Sequence, residues 1–178
     1  MTDTGAPAIT LELTMEEILQ RIPSAQRALF QRYHIGGCSS CAFQPTDTLA
    51  QVCRDHNILD PEEVITYLMQ AHEVDERIQV PPGEIRGWLA SGDDTLLLDV
   101  RPEAEREGAE VTGAEPLDYT NSSRYMELPK DRRIVFLCRN GQESLNVASY
   151  FIGHKFTNVW VMRGGAEAWH GVAGTPVQ

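Results

Sequence analysis

Three short apolar runs constrain the fold of this chain more than any other feature. "TLLLDV" (95–100), "IVFLC" (134–138) and "NVWVM" (158–162) are continuous rather than alternating. That is the pattern of strands buried on both faces of a parallel sheet. Helical stretches separate or follow them: "SRYMEL" (123–128), "LNVASYFIGH" (145–154) and, last, "GGAEAWHGV" (164–172). The alternation predicts βαβ units and an α/β domain over residues 79–178. A Pro-stiffened linker is expected at "VPPGE" (80–84), leading into a short helix at "EIRGWLAS" (84–91).

Residues 1–78 read differently, as a separate small all-α domain. "LTMEEILQRI" places Thr14 three residues before Glu17, a capping box ahead of an apolar run. "PSAQRALFQRYHIGG" puts Ala25, Ala28, Leu29 and Tyr33 on one face and is expected to stop at Gly36-Gly37. "DTLAQVCRDHN" repeats at Leu49, Val52, Cys53 and His56. In "LDPEEVITYLMQAHEV", Asp60 is the expected N-cap, Pro61 the first helical residue and Glu63 the closing member of a second box.

Composition excludes some functions. The net charge is −11 with no Lys/Arg cluster, which argues against a nucleic-acid surface. No apolar segment has the length needed to cross a bilayer. The opening "MTDTGAPAITLELT" has neither the basic nor the apolar region of a signal peptide, so a cytoplasmic, reducing setting is expected. Four cysteines in such a setting point to chemistry or metal rather than a disulfide framework.

The strongest chemical signal is Cys138, which ends an apolar strand and is followed by "RNGQES" and a helix. In open α/β sheets, sites gather beyond the carboxyl ends of strands. Backbone N–H groups converge at such a loop, and the positive end of a helix stands behind it, so an anionic sulfur is favoured there. Arg139 adds a neighbouring positive charge. Asp99 and Arg101, at the end of "LLLDVR", occupy the same edge of the sheet.

With "LLLDVRPEAE", "VTGAEPLD", "VFLCRNGQES" and "KFTNVWVMRGGAEAWHGVAGTPV" in view, residues 80–178 resemble a single rhodanese domain, the fold of sulfurtransferases. The resemblance implies a persulfide on Cys138 and a substrate-binding loop of Arg139, Asn140, Gly141, Gln142, Glu143 and Ser144. It also implies structural roles near the site for Asp99 and Arg101, and packing roles for Arg163 and Trp169. The implied reaction takes sulfur from a small donor, thiosulfate or a persulfide, and passes it to a thiol acceptor, with no cofactor and no metal. Two positions depart from the family pattern. Glu143 stands where Arg, Thr or Ser is common, which disfavours anionic donors, although an acidic residue there also suits a helix N-terminus. Glu110 stands where a His is common. The phosphatase relatives of this fold need a longer loop closed by Arg, and this loop does not supply one.

The second signal is Cys38-x-x-Cys41 in "HIGGCSSCAF". Residues 9–71 resemble the small helical module described as the hybrid-cluster-protein-associated redox disulfide domain, which implies a dithiol/disulfide pair and a redox or persulfide-accepting role for Cys38 and Cys41. The spacing Cys38-x2-Cys41-x11-Cys53-x2-His56 also suits a zinc site, but Cys53 and His56 fall on an apolar helical stripe, where core packing is expected. Residues 73–83, if extended, would let the Cys38–Cys41 loop reach Cys138, and a homodimer pairing the domains in trans is the other route. Two function classes are therefore open: a sulfurtransferase with a fused thiol module, or a non-catalytic regulatory or metal-binding adaptor with the cysteines as zinc or iron–sulfur ligands.

Overall fold

Thr14 and Thr48 each begin a helix, and the segments leading into those two helices are laced together. A computed structural model describes residues 8–36, 43–118 and 120–172. The chain divides into two compact units, Met1–Arg77 and Ile78–Gln178.

In the first unit, α1 (Met15–Arg21) and α3 (Leu49–Asp55) both start with a capping box, Thr14 with Glu17 and Thr48 with Gln51. Only the first was expected, yet T-x-x-Q at 48–51 carries the same signature. Each helix's first N–H groups donate to the other's lead-in: Met15 and Glu16 to the Asp47 and Pro45 carbonyls, Leu49 and Ala50 to those of Leu13 and Leu11. The orphan donors of two helix ends are thus satisfied reciprocally. The helix α2 (Ala25–Tyr33) stops earlier than the glycine pair suggests, because His34 takes the left-handed conformation (φ 58°) and its N–H caps the helix. In α4 (Pro61–Ile78) Asp60 accepts from the Glu63 N–H as expected, and the Glu63 carboxylate pairs with Arg32 of α2. The core is apolar, built on Met15, Ile18, Ile22, Leu29, Ile35, Leu49, Val64 and Leu68. Cys53 is one of its members, and burial pushes its thiol pKa up; His56 caps the end of α3.

The second unit is a five-stranded, wholly parallel sheet of order β1-β5-β4-β2-β3 flanked by helices, the expected α/β class. The strands are β1 (Gln79–Val80), β2 (Thr95–Asp99), β3 (Ala114–Pro116), β4 (Arg133–Leu137) and β5 (Val159–Met162). Ile134 and Phe136 face one core with Leu145, Ala148 and Phe151 of α8 (Gln142–Gly153). Val135 and Leu137 face the other with Ile85 of α5 (Pro82–Ala90) and Ala166 and Trp169 of α9 (Gly165–Val172). Both faces are covered, which is why these runs read as continuous.

The linker expectation is corrected here. Residues 73–78 are the end of α4, Gln79 and Val80 pair with Val161 and Met162, and Pro82 opens α5. Pro81 and Pro82 serve as helix starters, which their fixed φ suits, so residues 73–83 are not an extended tether. The short helices α6 (Glu103–Arg106) and α7 (Ser122–Met126) complete the unit.

Within the first unit, the Arg27 guanidinium donates to both Asp75 carboxylate oxygens at 2.6 Å, with both side chains largely buried. Asp75→Ala is expected to cost about 3 kcal/mol, since it strips a buried guanidinium of its carboxylate. Urea denaturation of the two proteins checks this.

Candidate active site

After β2 the chain moves outward to β3, whereas after β4 it moves the other way to β5. The carboxyl ends of β2 and β4 therefore flank the switch point, where an open parallel sheet leaves a crevice. Asp99 ends β2, and Cys138 follows β4 directly.

Cys138 is fully buried. Its Sγ accepts the Gly141 N–H at 3.2 Å and the Ser144 N–H at 3.4 Å, and lies 3.3 Å from the Ser144 hydroxyl oxygen. The start of the loop is anchored through its carbonyls. The Cys138 and Arg139 carbonyls accept the Ala166 and Glu167 N–H groups, at 2.8 and 3.1 Å, from the first turn of α9. That approach requires Gly165. Its φ is +58°, and a Cβ there would lie 2.3 Å from the Cys138 carbonyl oxygen and 2.6 Å from that of Arg139. Gly141, at φ +95°, starts α8, and a Cβ there would press on Met162 and Gly164. The Asn140 side chain accepts the Gln142 N–H at 3.1 Å. The N–H groups of Asn140 and Glu143 have no acceptor among the described residues.

The expected loop residues divide by position. Gly141 and Ser144 are buried against the sulfur. Arg139 is exposed and pairs at 3.1 Å with Glu167, which the sequence reading did not single out. Gln142 and Glu143 are exposed at the start of α8.

Asp99 and Arg101 form a buried bidentate ion pair, with the shortest contact at 2.7 Å. The remaining Arg101 donors hold the Glu105 and Ala109 carbonyls, so the pair closes the segment after β2. The hydrogen bond to Asp99 raises the Arg101 pKa; burial works against it, and the charges of Asp99, Glu105 and Cys138 add to it. Trp169 is buried, with the Arg86 guanidinium 4.1 Å from its ring centre, as packing requires. Arg163 is exposed, and its N–H donates to the Val80 carbonyl. The expected pair Cys38 and Cys41 lies outside the described residues.

A depression of about 470 Å³ lined by Asp93, Asp94, Asp131, Arg132, Arg133 and Asn158 lies at the amino ends of the strands, away from Cys138. Its arginines are already paired with Asp93 and Asp94.

The family model described as Rhodanese-like domain matches residues 82–171. A sulfurtransferase of Allochromatium vinosum is 36% identical over 87 residues, covering 47% of this chain and 81% of that protein. The thiosulfate sulfurtransferase GlpE of Pseudoalteromonas translucida is 30% identical over 82 residues, 46% of this chain and 78% of its own. Among solved structures, the human single-domain sulfurtransferase TSTD1 is 19% identical with a TM-score of 0.46, covering 56% of this chain and 98% of that one.

Gly165→Ala is expected to cost about 2 kcal/mol or more, because a side chain there is strained by φ and meets two carbonyls. Gly153→Ala is the control: nothing lies within 4 Å of a Cβ there. Thermal denaturation should separate them, with the Gly153 variant close to wild type.

Proposed function

The chain belongs to the rhodanese-like domain family, and we propose that it is a sulfurtransferase in which Cys138 carries sulfane sulfur as a persulfide. The observation that carries this reading is the buried Sγ at the crevice between β2 and β4, held by two loop N–H groups. Such donors favour an anionic sulfur, and the nucleophilic form of a cysteine is the thiolate.

In the proposed reaction, the Cys138 thiolate attacks the outer sulfur of a donor. A sulfur–sulfur bond forms at Sγ, the donor's bond to that sulfur breaks, and the leaving group departs with the electron pair. An acceptor thiolate then attacks the outer sulfur, and the electron pair of the broken bond returns to Sγ. The N–H groups of Asn140 and Glu143, which lack acceptors among the described residues, are available to the charge on the outer sulfur. Burial of Sγ favours attack at the outer atom, since a bulky thiol has no access to the inner one.

The charges of the loop bear on the donor. Arg139 is its one cation and is paired with Glu167, while Glu143 is exposed. We read this as selection against a dianion such as thiosulfate and in favour of persulfide donors. The N-terminal helical module, with its resemblance to a redox disulfide domain, is read as the acceptor. Cys38 or Cys41 takes the outer sulfur, and the other thiol can then release it as hydrosulfide while the two close to a disulfide. The transfer occurs within one chain or between two copies.

Three outcomes are expected. Cys138→Ser abolishes the gain of one sulfur that intact-mass analysis finds after incubation with a donor, while leaving the fold unchanged; persistent loading would refute the assignment. Glu143→Arg lowers KM for thiosulfate at low ionic strength, and the gain fades with added salt. In single-turnover mass experiments, the Cys138 persulfide of the doubly substituted Cys38→Ser, Cys41→Ser protein outlives that of wild type. Equal lifetimes would remove the relay.

A further inference from the structure

Ser144 was expected as one more residue lining the substrate loop, but its side chain turns inward. The residue is fully buried, and its hydroxyl oxygen lies 3.3 Å from Cys138 Sγ and 3.1 Å from the Gly141 carbonyl oxygen, to which it donates. A hydroxyl has one hydrogen and rotates to suit its partners. When that hydrogen is on the Gly141 carbonyl, the serine oxygen is free to accept, and the Cys138 S–H supplies the bond. When the sulfur has lost its proton, the same oxygen has only its own hydrogen to offer.

We propose that Ser144 is a catalytic hydrogen-bond donor that switches partner with the charge on Cys138. With the sulfur protonated or persulfidated, the hydroxyl donates to the Gly141 carbonyl. With the sulfur a thiolate, it turns and donates to Sγ, a third donor beside the Gly141 and Ser144 N–H groups. No atom is transferred to or from serine. The Cys138 proton leaves to solvent before loading, and on discharge the electron pair of the broken sulfur–sulfur bond returns to Sγ as the hydroxyl swings onto it. The two N–H groups are fixed by the loop in every state, so the hydroxyl is the donor that can follow the charge. This rests on the assignment of Cys138 as the reacting cysteine.

The test compares wild type with Ser144→Ala in the full-length protein. The substitution removes the hydroxyl and keeps the N–H bond to the sulfur. Iodoacetamide alkylation of Cys138, located by peptide mass, is followed against pH. A hydrogen bond to an ionised group is worth roughly a factor of ten or more. Alkylation of the alanine variant is therefore expected to be about tenfold slower near neutral pH, with its rate–pH curve displaced upward and the same plateau at high pH. A role confined to packing would change the plateau, which reports access, and leave the midpoint in place. Coincident midpoints overturn the proposal. A second arm loads both proteins with a persulfide donor and follows discharge to a small thiol, expected about tenfold slower in the variant; equal discharge rates likewise overturn it. If wild type takes up no sulfur at Cys138, the sulfurtransferase reading fails while the alkylation arm still decides the role of Ser144.

Discussion

The turn from β4 into the loop at Cys138 is anchored by two hydrogen bonds that do not touch its sulfur. The first turn of α9 presents the Ala166 and Glu167 N–H groups to the carbonyls of Cys138 and Arg139. A peptide unit points its N–H and C=O in opposite directions, so fixing those carbonyls fixes the Arg139 and Asn140 amides and anchors the start of the loop whose later amides, of Gly141 and Ser144, reach Sγ. The helix supplies unsatisfied N–H groups because every helix start has them, and the loop supplies acceptors because its carbonyls have left the β4 ladder. Gly165 brings the two together at a separation that no side chain permits.

The Asp99–Arg101 pair does for the neighbouring segment what α9 does for the loop. A buried ion pair is weak evidence of stability in itself, since desolvation offsets much of the attraction. Its value here is directional. Bidentate contact with Asp99 fixes the guanidinium plane, and the remaining donors hold two carbonyls of the segment that borders the crevice. Both walls of the site are thus positioned by backbone carbonyls tied to donors from elsewhere in the same unit. The side chains of Arg139 and Glu143 in the loop are left exposed.

Much of this was legible in the sequence wherever burial on two faces leaves a continuous apolar run. β2, β4 and β5 were read directly, and Cys138 stood out because a polar, glycine-containing loop follows it. The edge strands were not legible. β3 is "AEP", mostly exposed and three residues long, and β1 is two residues within a stretch whose prolines mimic a linker. Neither carries enough periodicity to register, and both owe their strand conformation to a neighbour far along the chain. The Arg139–Glu167 pair joins residues 28 positions apart, beyond any local pattern. The inward turn of Ser144 depends on where the loop places it. The glycine pair at 164–165 was visible but read only as the start of a helix; its part in the site requires knowing what lies against it.

The dependence of the loop on α9 has a consequence for the order of synthesis. A ribosome makes Cys138 and its loop before β5, and α9 comes last of the described elements. Until that helix has emerged and docked, the carbonyls of Cys138 and Arg139 have no amides to hold them, and the start of the loop is not anchored. An unfinished chain carries Cys138 without the anchored loop that surrounds its sulfur in the finished domain. The contacts around that sulfur are therefore completed only with the last helix of the domain.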